Sequence, residues 1–258
     1  MKKLLNVLTA GMLITVCFTG CGVPKNTVHS SDDLKGKVIG TQLGTTGYIF
    51  AGDIENAKVE GYNKGADAIQ ALKQGKIDAV IIDSEPAQEF VNKNKGLQIL
   101  PDVFAEEEYS IAYKKGNDEL GKKIDDALTK LKENGKLDEI TSHWVGNDPD
   151  RVSYVPEKDM ERTGVLVMAT NAEFPPYESM ENGEIVGIDV DMMNAVCDEL
   201  GLKLKIDNME FDSIIAAVNS GKADVGVAGM SVTPEREKNV SFTQGYASTK
   251  QVIVVRED

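Results

Sequence analysis

Two similar stretches of this chain each place a polar feature at the end of a strand, a carboxylate in one and a glycine turn with an arginine behind it in the other. The later stretch is Ala223 to Arg236, ADVGVAGMSVTPER. Its apolar run, Val225 to Ala228, is opened by Asp224 and closed by Gly229, and it reads as a buried strand of a parallel sheet. Its second half reads as a helix start. Thr233 is a good N-cap, Pro234 suits the first helical position, and Glu235 adds a carboxylate to the first turn. The turn between them, Gly229-Met230-Ser231, leaves the carboxyl end of a strand, where open α/β sheets bind ligands. Gly229 lets a guest approach the backbone closely, Ser231 offers a hydroxyl, and Arg236 can reach back to grip a carboxylate bidentately. An ordinary β-turn-α unit with a surface arginine fits the same letters.

The earlier stretch repeats the pattern. Ala217 to Asp224 (AVNSGKAD) matches Ala71 to Asp78 (ALKQGKID), and both read as helix end, Gly-Lys-x-Asp, then strand. The strand Ala79 to Ile82 ends at Asp83, which corresponds in register to Gly229. If the two α/β halves face each other, an amine at Asp83 and a carboxylate at Arg236 are held together between them. Gly-Lys-x-Asp is also a common helix-to-strand turn, so chance recurrence is the alternative.

Other chemistries find little support. The two histidines, His29 and His143, fall in a polar stretch and near a helix end. No cysteine–histidine or serine–histidine constellation can be assembled, and no metal-ligand spacing is present. No cofactor is implied. A catalytic reading needs a spare carboxylate in a cleft, for which Glu173 is the candidate, and a solvated loop position explains that residue more simply. The loop Gln42-Leu43-Gly44-Thr45-Thr46-Gly47 precedes a helix and offers N–H groups and hydroxyls to an anion, but lacks the Gly-Lys-Ser/Thr of a P-loop.

The elements that must position these groups are legible in outline. Strands are predicted over 37–41, 58–62, 79–82, 97–100, 109–113, 165–169, 203–206 and 251–255, the last led into by Val240 to Tyr246. Helices are predicted over 66–73, 85–93, 118–134, 187–200 and 212–219, with a shorter one ending at Trp144. Glu106-Glu107-Glu108 reads as a solvated edge. Asn147 to Met160 has two prolines and no apolar periodicity, and reads as a linker.

The 258 residues suffice for two modest domains with real cores. A formal charge of −14 argues against nucleic acid as a partner. Met1 to Cys21 reads as a targeting segment. Lys2 and Lys3 open it, and the apolar stretch Leu4 to Phe18 is too short to span a membrane. Small residues before Cys21 resemble a bacterial lipoprotein processing site, with Cys21 taking the lipid; a plain secretory cut near Gly20 is the alternative. Only Cys197 then remains, in an apolar helical pattern that suits core packing, so no disulfide forms within the chain.

Further motifs carry a family resemblance. Phe174-Pro175-Pro176-Tyr177, Gly187-Ile188-Asp189-Val190-Asp191 and Ala228 to Arg236 look like the polar amino-acid substrate-binding proteins of ABC importers. Gly40 to Gly47 and His143-Trp144-Val145-Gly146 match as well, and the likeness covers nearly the whole chain after the leader. The resemblance implies an α/β, two-lobed periplasmic-binding-protein type II fold with a ligand cleft between the lobes. It implies a non-enzymatic binder which captures a free amino acid for ABC permease subunits, and which lipid on Cys21 would anchor outside the cytoplasm; a sensor or lyase derivative of the fold is the alternative. In the implied site, Arg236, Thr45 and the N–H groups of Ser231 and Thr46 take the ligand carboxylate. Asp83, the Gly229 carbonyl and the Ser231 hydroxyl take the amine. Phe174 and Phe211 sandwich the side chain, and Asn171 and Gln42 line its polar end. Core positions for the phenylalanines and loop caps for the amides are the bland alternatives. Aromatic faces and amides favour arginine or lysine, then glutamine, and the motif set resembles members assigned to basic amino acids.

The motifs stand in an unusual order. The segment that normally opens the family's chain is seen here at 164–258, after the segment at 31–146. The sequence resembles a circular permutation, with a tandem pair that lost its ends or an engineered order as alternatives. The expected division is a leader at 1–20, a tether at 21–30, one lobe at 31–107, the other lobe at 108–146 and 164–258, and a linker at 147–163. On this reading only the interlobe crossing near Glu106 to Tyr109 stays covalent, and the strand Gln251 to Val255 ends free.

Overall fold

The computed structural model describes residues 23–145, 152–158 and 160–258. The leader and Cys21 lie outside the described residues. In chain order the elements are β1 (Val38–Gln42), α1 (Thr46–Gly52), β2 (Lys58–Tyr62), α2 (Gly65–Lys73), β3 (Ala79–Asp83), α3 (Ser84–Lys93), β4 (Leu97–Lys114), α4 (Asp118–Glu133) and α5 (Lys136–Trp144). After the linker come β5 (Gly164–Thr170), β6 (Glu173–Phe174), β7 (Glu178–Glu181), β8 (Glu184–Val186), α6 (Ile188–Leu200), β9 (Leu202–Asn208), α7 (Ile214–Ser220), β10 (Val225–Gly226), α8 (Pro234–Glu237) and β11 (Val240–Arg256).

The main sheet has the order β2-β1-β3-β11-β4-β10-β5-β9. It is built from two α/β halves. In one, β2, β1 and β3 run parallel; in the other, β10, β5 and β9 do. The long strands β4 and β11 lie between them, antiparallel to each other, and each passes from one half into the other. The α/β, two-lobed architecture expected from the resemblance is therefore the one observed.

The Gly-Lys-x-Asp repeat has a physical job. Gly75 and Gly221 both end a helix in the left-handed region, with φ of 71° and 78°. The aspartate that follows then accepts a backbone N–H from the neighbouring strand, Asp78 from Val38 at 2.9 Å and Asp224 from Val167 at 2.8 Å. Each copy thus fixes the register of its strand against the first strand of its own half.

Four sequence expectations are corrected. First, the separate strands at 97–100 and 109–113 are one strand, β4, and Val240 joins Arg256 in a single β11. Pro101 and the glutamate run interrupt the apolar pattern, but the two strands pair along most of their length through register shifts, one of them opposite Pro101. Both crossings are therefore covalent. Near the chain end, Gln251 to Val254 of β11 pair with β3, in the half assigned to 31–107. Second, Glu107 is not a solvated edge. Its Oε2 accepts from Thr46 Oγ1 at 2.8 Å and Gln251 Nε2 at 2.7 Å. Third, within the stretch read as a tether, Asn26 and Val28 are buried, and Val28 packs with Leu34, Ile39 and Ile253. Fourth, the loop after β5 contains a small three-stranded antiparallel sheet, β6-β7-β8, that the sequence reading missed. Glu173 there pairs with Lys64 of the other half at 2.6 Å rather than facing solvent alone.

The linker also has partners. Tyr154 donates its hydroxyl to Asp198 at 2.8 Å, and Arg162 pairs with the same carboxylate. Cys197 is buried beside them, and burial pushes its thiol up to about 12, so it packs as an inert apolar group.

Candidate functional site

Four strands, a parallel pair from each half, aim their carboxyl ends at one place. Gln42 closes β1, Asp83 closes β3, Asn171 follows β5, and Ala228-Gly229 follow β10. Open α/β sheets bind ligands at such strand ends because the loops there diverge and leave a crevice. One cavity is lined by Gln42, Thr45, Thr46 and Asp83 from the first half, and by Asn171, Phe174, Phe211, Ala228, Gly229 and Arg236 from the second. Nine of the ten ligand-binding residues inferred from the sequence are in this wall. Ser231 is the exception. It stands behind Arg236, faces the neighbouring mouth of the cleft with Thr46 and Thr233, and forms a bridge with Tyr109.

Local folding explains each placement. Thr45 caps α1, accepting from the Tyr48 N–H at 3.2 Å. Thr233 caps α8, accepting from the Arg236 N–H at 3.2 Å, so the cap itself orients the arginine. Helix α8 is a single turn. Gly229 has φ of 53°, and a Cβ there would meet the Phe174 ring at 2.7 Å. Glycine is required at this turn on both counts.

The cavity holds two buried, opposite charges. Arg236 is 7% exposed. Its Nη1 donates to the Ser231 carbonyl at 2.6 Å and its Nη2 to the Gly44 carbonyl of the opposite half at 3.0 Å. Its guanidinium lies 5.3 Å from the centre of the Phe211 ring, a cation–π contact. Among the described residues no carboxylate reaches it at ion-pair distance, and burial lowers its pKa to about 10. Asp83 is also buried, and its Oδ1 accepts from the Tyr109 hydroxyl at 2.5 Å. Burial, reinforced by Glu107, raises its carboxyl to about 7. Each charge is thus held where it lacks a full counter-charge.

At the far end Gln42 Nε2 donates to Asn171 Oδ1 at 2.8 Å, linking the halves, and Asn171 Nδ2 donates to the Met209 carbonyl at 2.8 Å. Phe174 stacks on Tyr177 with centroids 6.0 Å apart. Both cavity phenylalanines are nearly buried, so they serve the core and the wall at once.

Sequence reasoning missed the groups just behind the wall. Tyr109, Glu107 and Gln251 come from the crossing strands, whose continuity was not read. Asp189 accepts the Gly229 N–H at 3.0 Å and the Tyr246 hydroxyl at 2.9 Å. Its signal was present in Gly187-Ile188-Asp189, a polar residue at a buried helix start.

Comparison with known proteins identifies the family. The family model for bacterial extracellular solute-binding proteins, family 3, matches residues 56–147 and 166–258. The arginine-binding extracellular protein ArtP of Bacillus subtilis is 37% identical over 93 residues, 36% of this chain and 36% of that protein. The L-cystine-binding protein TcyJ of Escherichia coli is 32% identical over 126 residues, 48% of this chain and 47% of that protein. Among solved structures, the arginine-bound domain 1 of TmArgBP is 40% identical, covering 36% of this chain and 80% of its own, with a TM-score of 0.31. The chain spans less than half the length of these two curated relatives. The family match, by contrast, takes in most of both α/β halves, and the chain belongs to the bacterial extracellular solute-binding proteins, family 3.

Proposed function

We propose that this protein captures a free amino acid, arginine or lysine first and glutamine next, in the cleft between its halves and delivers it to an ABC permease. The observation that carries the reading is the pairing of Arg236 and Asp83 on one cavity wall. A buried guanidinium with no carboxylate at ion-pair distance, opposite a buried carboxylate with a raised pKa, matches the two ends of an amino-acid zwitterion. The Gly229 carbonyl, Thr45 and the Thr46 N–H supply further partners for the same two ends. Phe174, Phe211, Asn171 and Gln42 suit a long side chain with an apolar stem and hydrogen-bond donors at its tip. Relatives named as arginine-binding in Bacillus subtilis and Escherichia coli support the choice of ligand. Calorimetric titration with the common amino acids tests it. Arginine should bind tightest. Tighter binding of glutamate or a branched aliphatic amino acid would refute the ligand class, and silence with every amino acid would refute the function.

Lipidation of Cys21 belongs to the same proposal. Membership of an extracellular family fits an extracytoplasmic position, and no described helix is long and apolar enough to cross a membrane. A lipid on Cys21 would hold the binder at the membrane beside a permease. Mass spectrometry of the mature N-terminus decides between a lipid-modified Cys21 and a bare residue.

The circular permutation is also proposed. The motif order supports it, and so does the closeness of residues 23–24 to 256–258, which share one groove, with Arg256 Nε donating to the Pro24 carbonyl at 3.1 Å. Since both crossings are continuous, restoring the family's order should leave the hinge unchanged. A chain running 164–258 and then 23–145 should bind the same amino acid with an affinity within about threefold. A tenfold difference would show that chain order alters lobe closure.

A further inference from the structure

Glu178, at the start of β7, is fully buried, and neither of its carboxyl oxygens receives a hydrogen bond from a neighbouring N–H or hydroxyl among the described residues. The same holds for Asp189 Oδ1. The Glu178 and Asp189 carboxyls lie against each other within hydrogen-bonding reach. Two ionised carboxylates cannot share such a site, whereas one proton between them gives an oxygen of each a hydrogen bond. The remaining oxygen, Asp189 Oδ2, already holds the Gly229 N–H at 3.0 Å and the Tyr246 hydroxyl at 2.9 Å. Gly229 is in the cavity wall, and Tyr246 is on the crossing strand β11.

We infer that Glu178 is a positioning residue: it keeps a proton, donates it to Asp189 Oδ1, and so holds Asp189 Oδ2 on the binding turn and the crossing strand together. The inference rests on the reading of this cavity as an amino-acid site. The groups facing the pair are acids and phenols. Tyr177 adjoins Glu178 in sequence, Tyr246 faces it from β11, Asp83 acts on it from the end of β3, and Tyr109 of β4 meets Tyr177 edge-on at 5.0 Å. Burial, Asp189 and Asp83 all raise the Glu178 pKa well above the usual carboxylate value. The sign follows. A carboxyl whose folded pKa is raised contributes stability that is fully present below its unfolded pKa and is lost as pH rises toward the folded value.

Glu178→Gln keeps a donor and cannot ionise; Glu178→Leu removes the donor. The full chain without ligand is melted from pH 5 to pH 10 as parent and as Glu178→Gln, so that the Asp83 titration, common to both, cancels in the difference. The parent melting temperature should fall with rising pH by about 5 °C more than that of the variant. L-Arginine is then titrated at pH 7. Glu178→Gln should bind within about threefold of the parent, and Glu178→Leu about tenfold or more weakly. Equal pH slopes for parent and Glu178→Gln overturn the shared proton, and parent-like arginine binding by Glu178→Leu overturns the positioning role. If Glu178→Leu does not fold, the parent and Glu178→Gln curves and affinities still decide. If the parent binds no arginine, the amino-acid reading fails while the melting comparison judges the acid pair on its own.

Discussion

Arg236→Ala is expected to abolish measurable amino-acid binding while leaving the fold in place. The guanidinium is buried, its two donors are aimed by the Ser231 and Gly44 carbonyls, and Phe211 holds its plane. A ligand carboxylate would be its first full counter-charge, in a site shielded from water. Truncating one partner of such a pair costs about 3 kcal/mol or more, about a hundredfold or more in affinity. Stability should change little, because removing an unpaired buried charge offsets the two lost hydrogen bonds. The measurement is a pair of melting curves with and without arginine: the unliganded variant should melt within a few degrees of the parent, and the ligand-induced shift should vanish. Arg236→Lys tests geometry separately from charge. It keeps a cation but loses the planar fork, and should still lose about tenfold or more. Parent-like affinity in Arg236→Ala would remove this residue from the site.

Asp83 should make binding depend on pH, with affinity falling as pH drops below about 7. Its carboxyl is raised to about 7 by burial and by Glu107. An ammonium beside it favours the ionised form, so binding below that pH must release its proton. Each pH unit below 7 should then weaken binding by up to about tenfold, until the lower pKa of the complex is reached. Above pH 7 the dependence on this group disappears. Asp83→Asn should remove the slope. At pH 8 it should bind far more weakly than the parent, having lost the counter-charge, and the gap should narrow at pH 5, where the parent carboxyl is itself protonated. Without ligand the sign is reversed. The raised pKa means that the Asp83 contribution to stability is present below its unfolded pKa and lost as pH rises through about 7, a span on the order of 4 kcal/mol. Unliganded Asp83→Asn should therefore be more thermostable than the parent at pH 8. Isothermal titration in two buffers of different ionisation enthalpy reads the released proton directly; an equal apparent enthalpy in both at pH 6 would rule out this linkage.

Both predictions depend on the cleft being closed by polar contacts. Gln42 to Asn171, Lys64 to Glu173 and Arg236 to Gly44 each join one half to the other. The Lys64–Glu173 pair is partly exposed, and such pairs contribute about 1 kcal/mol or less. The buried contacts made by Gln42 and Arg236 are also the ones a ligand would rearrange, which links closure to recognition.

Local chemistry made much of this protein legible from its sequence. The cap at Thr233 with Pro234 behind it, the left-handed glycines of the Gly-Lys-x-Asp turns and the alternating strand-helix pattern are each set by residues a few positions apart. They suffice to place Asp83 and Gly229 at equivalent strand ends with Arg236 in the helix behind the glycine turn, and nine of the ten inferred ligand-binding residues share one cavity. What the sequence did not reveal depends on partners far away in the chain. The continuity of β4 and β11 through Pro101 and the glutamate run comes from the pairing of the two strands with each other, and no local pattern reports it. The packed arm around Val28 is held by Ile253, more than two hundred residues on. Ser231 left the cavity wall because the turn that carries it pairs with Tyr109 of β4. Glu178 and Asp189 read as unremarkable acids in sequence. Only the tertiary structure buries them together, and burial, by excluding water from both carboxyls, turns two ordinary acids into one shared proton behind the binding turn.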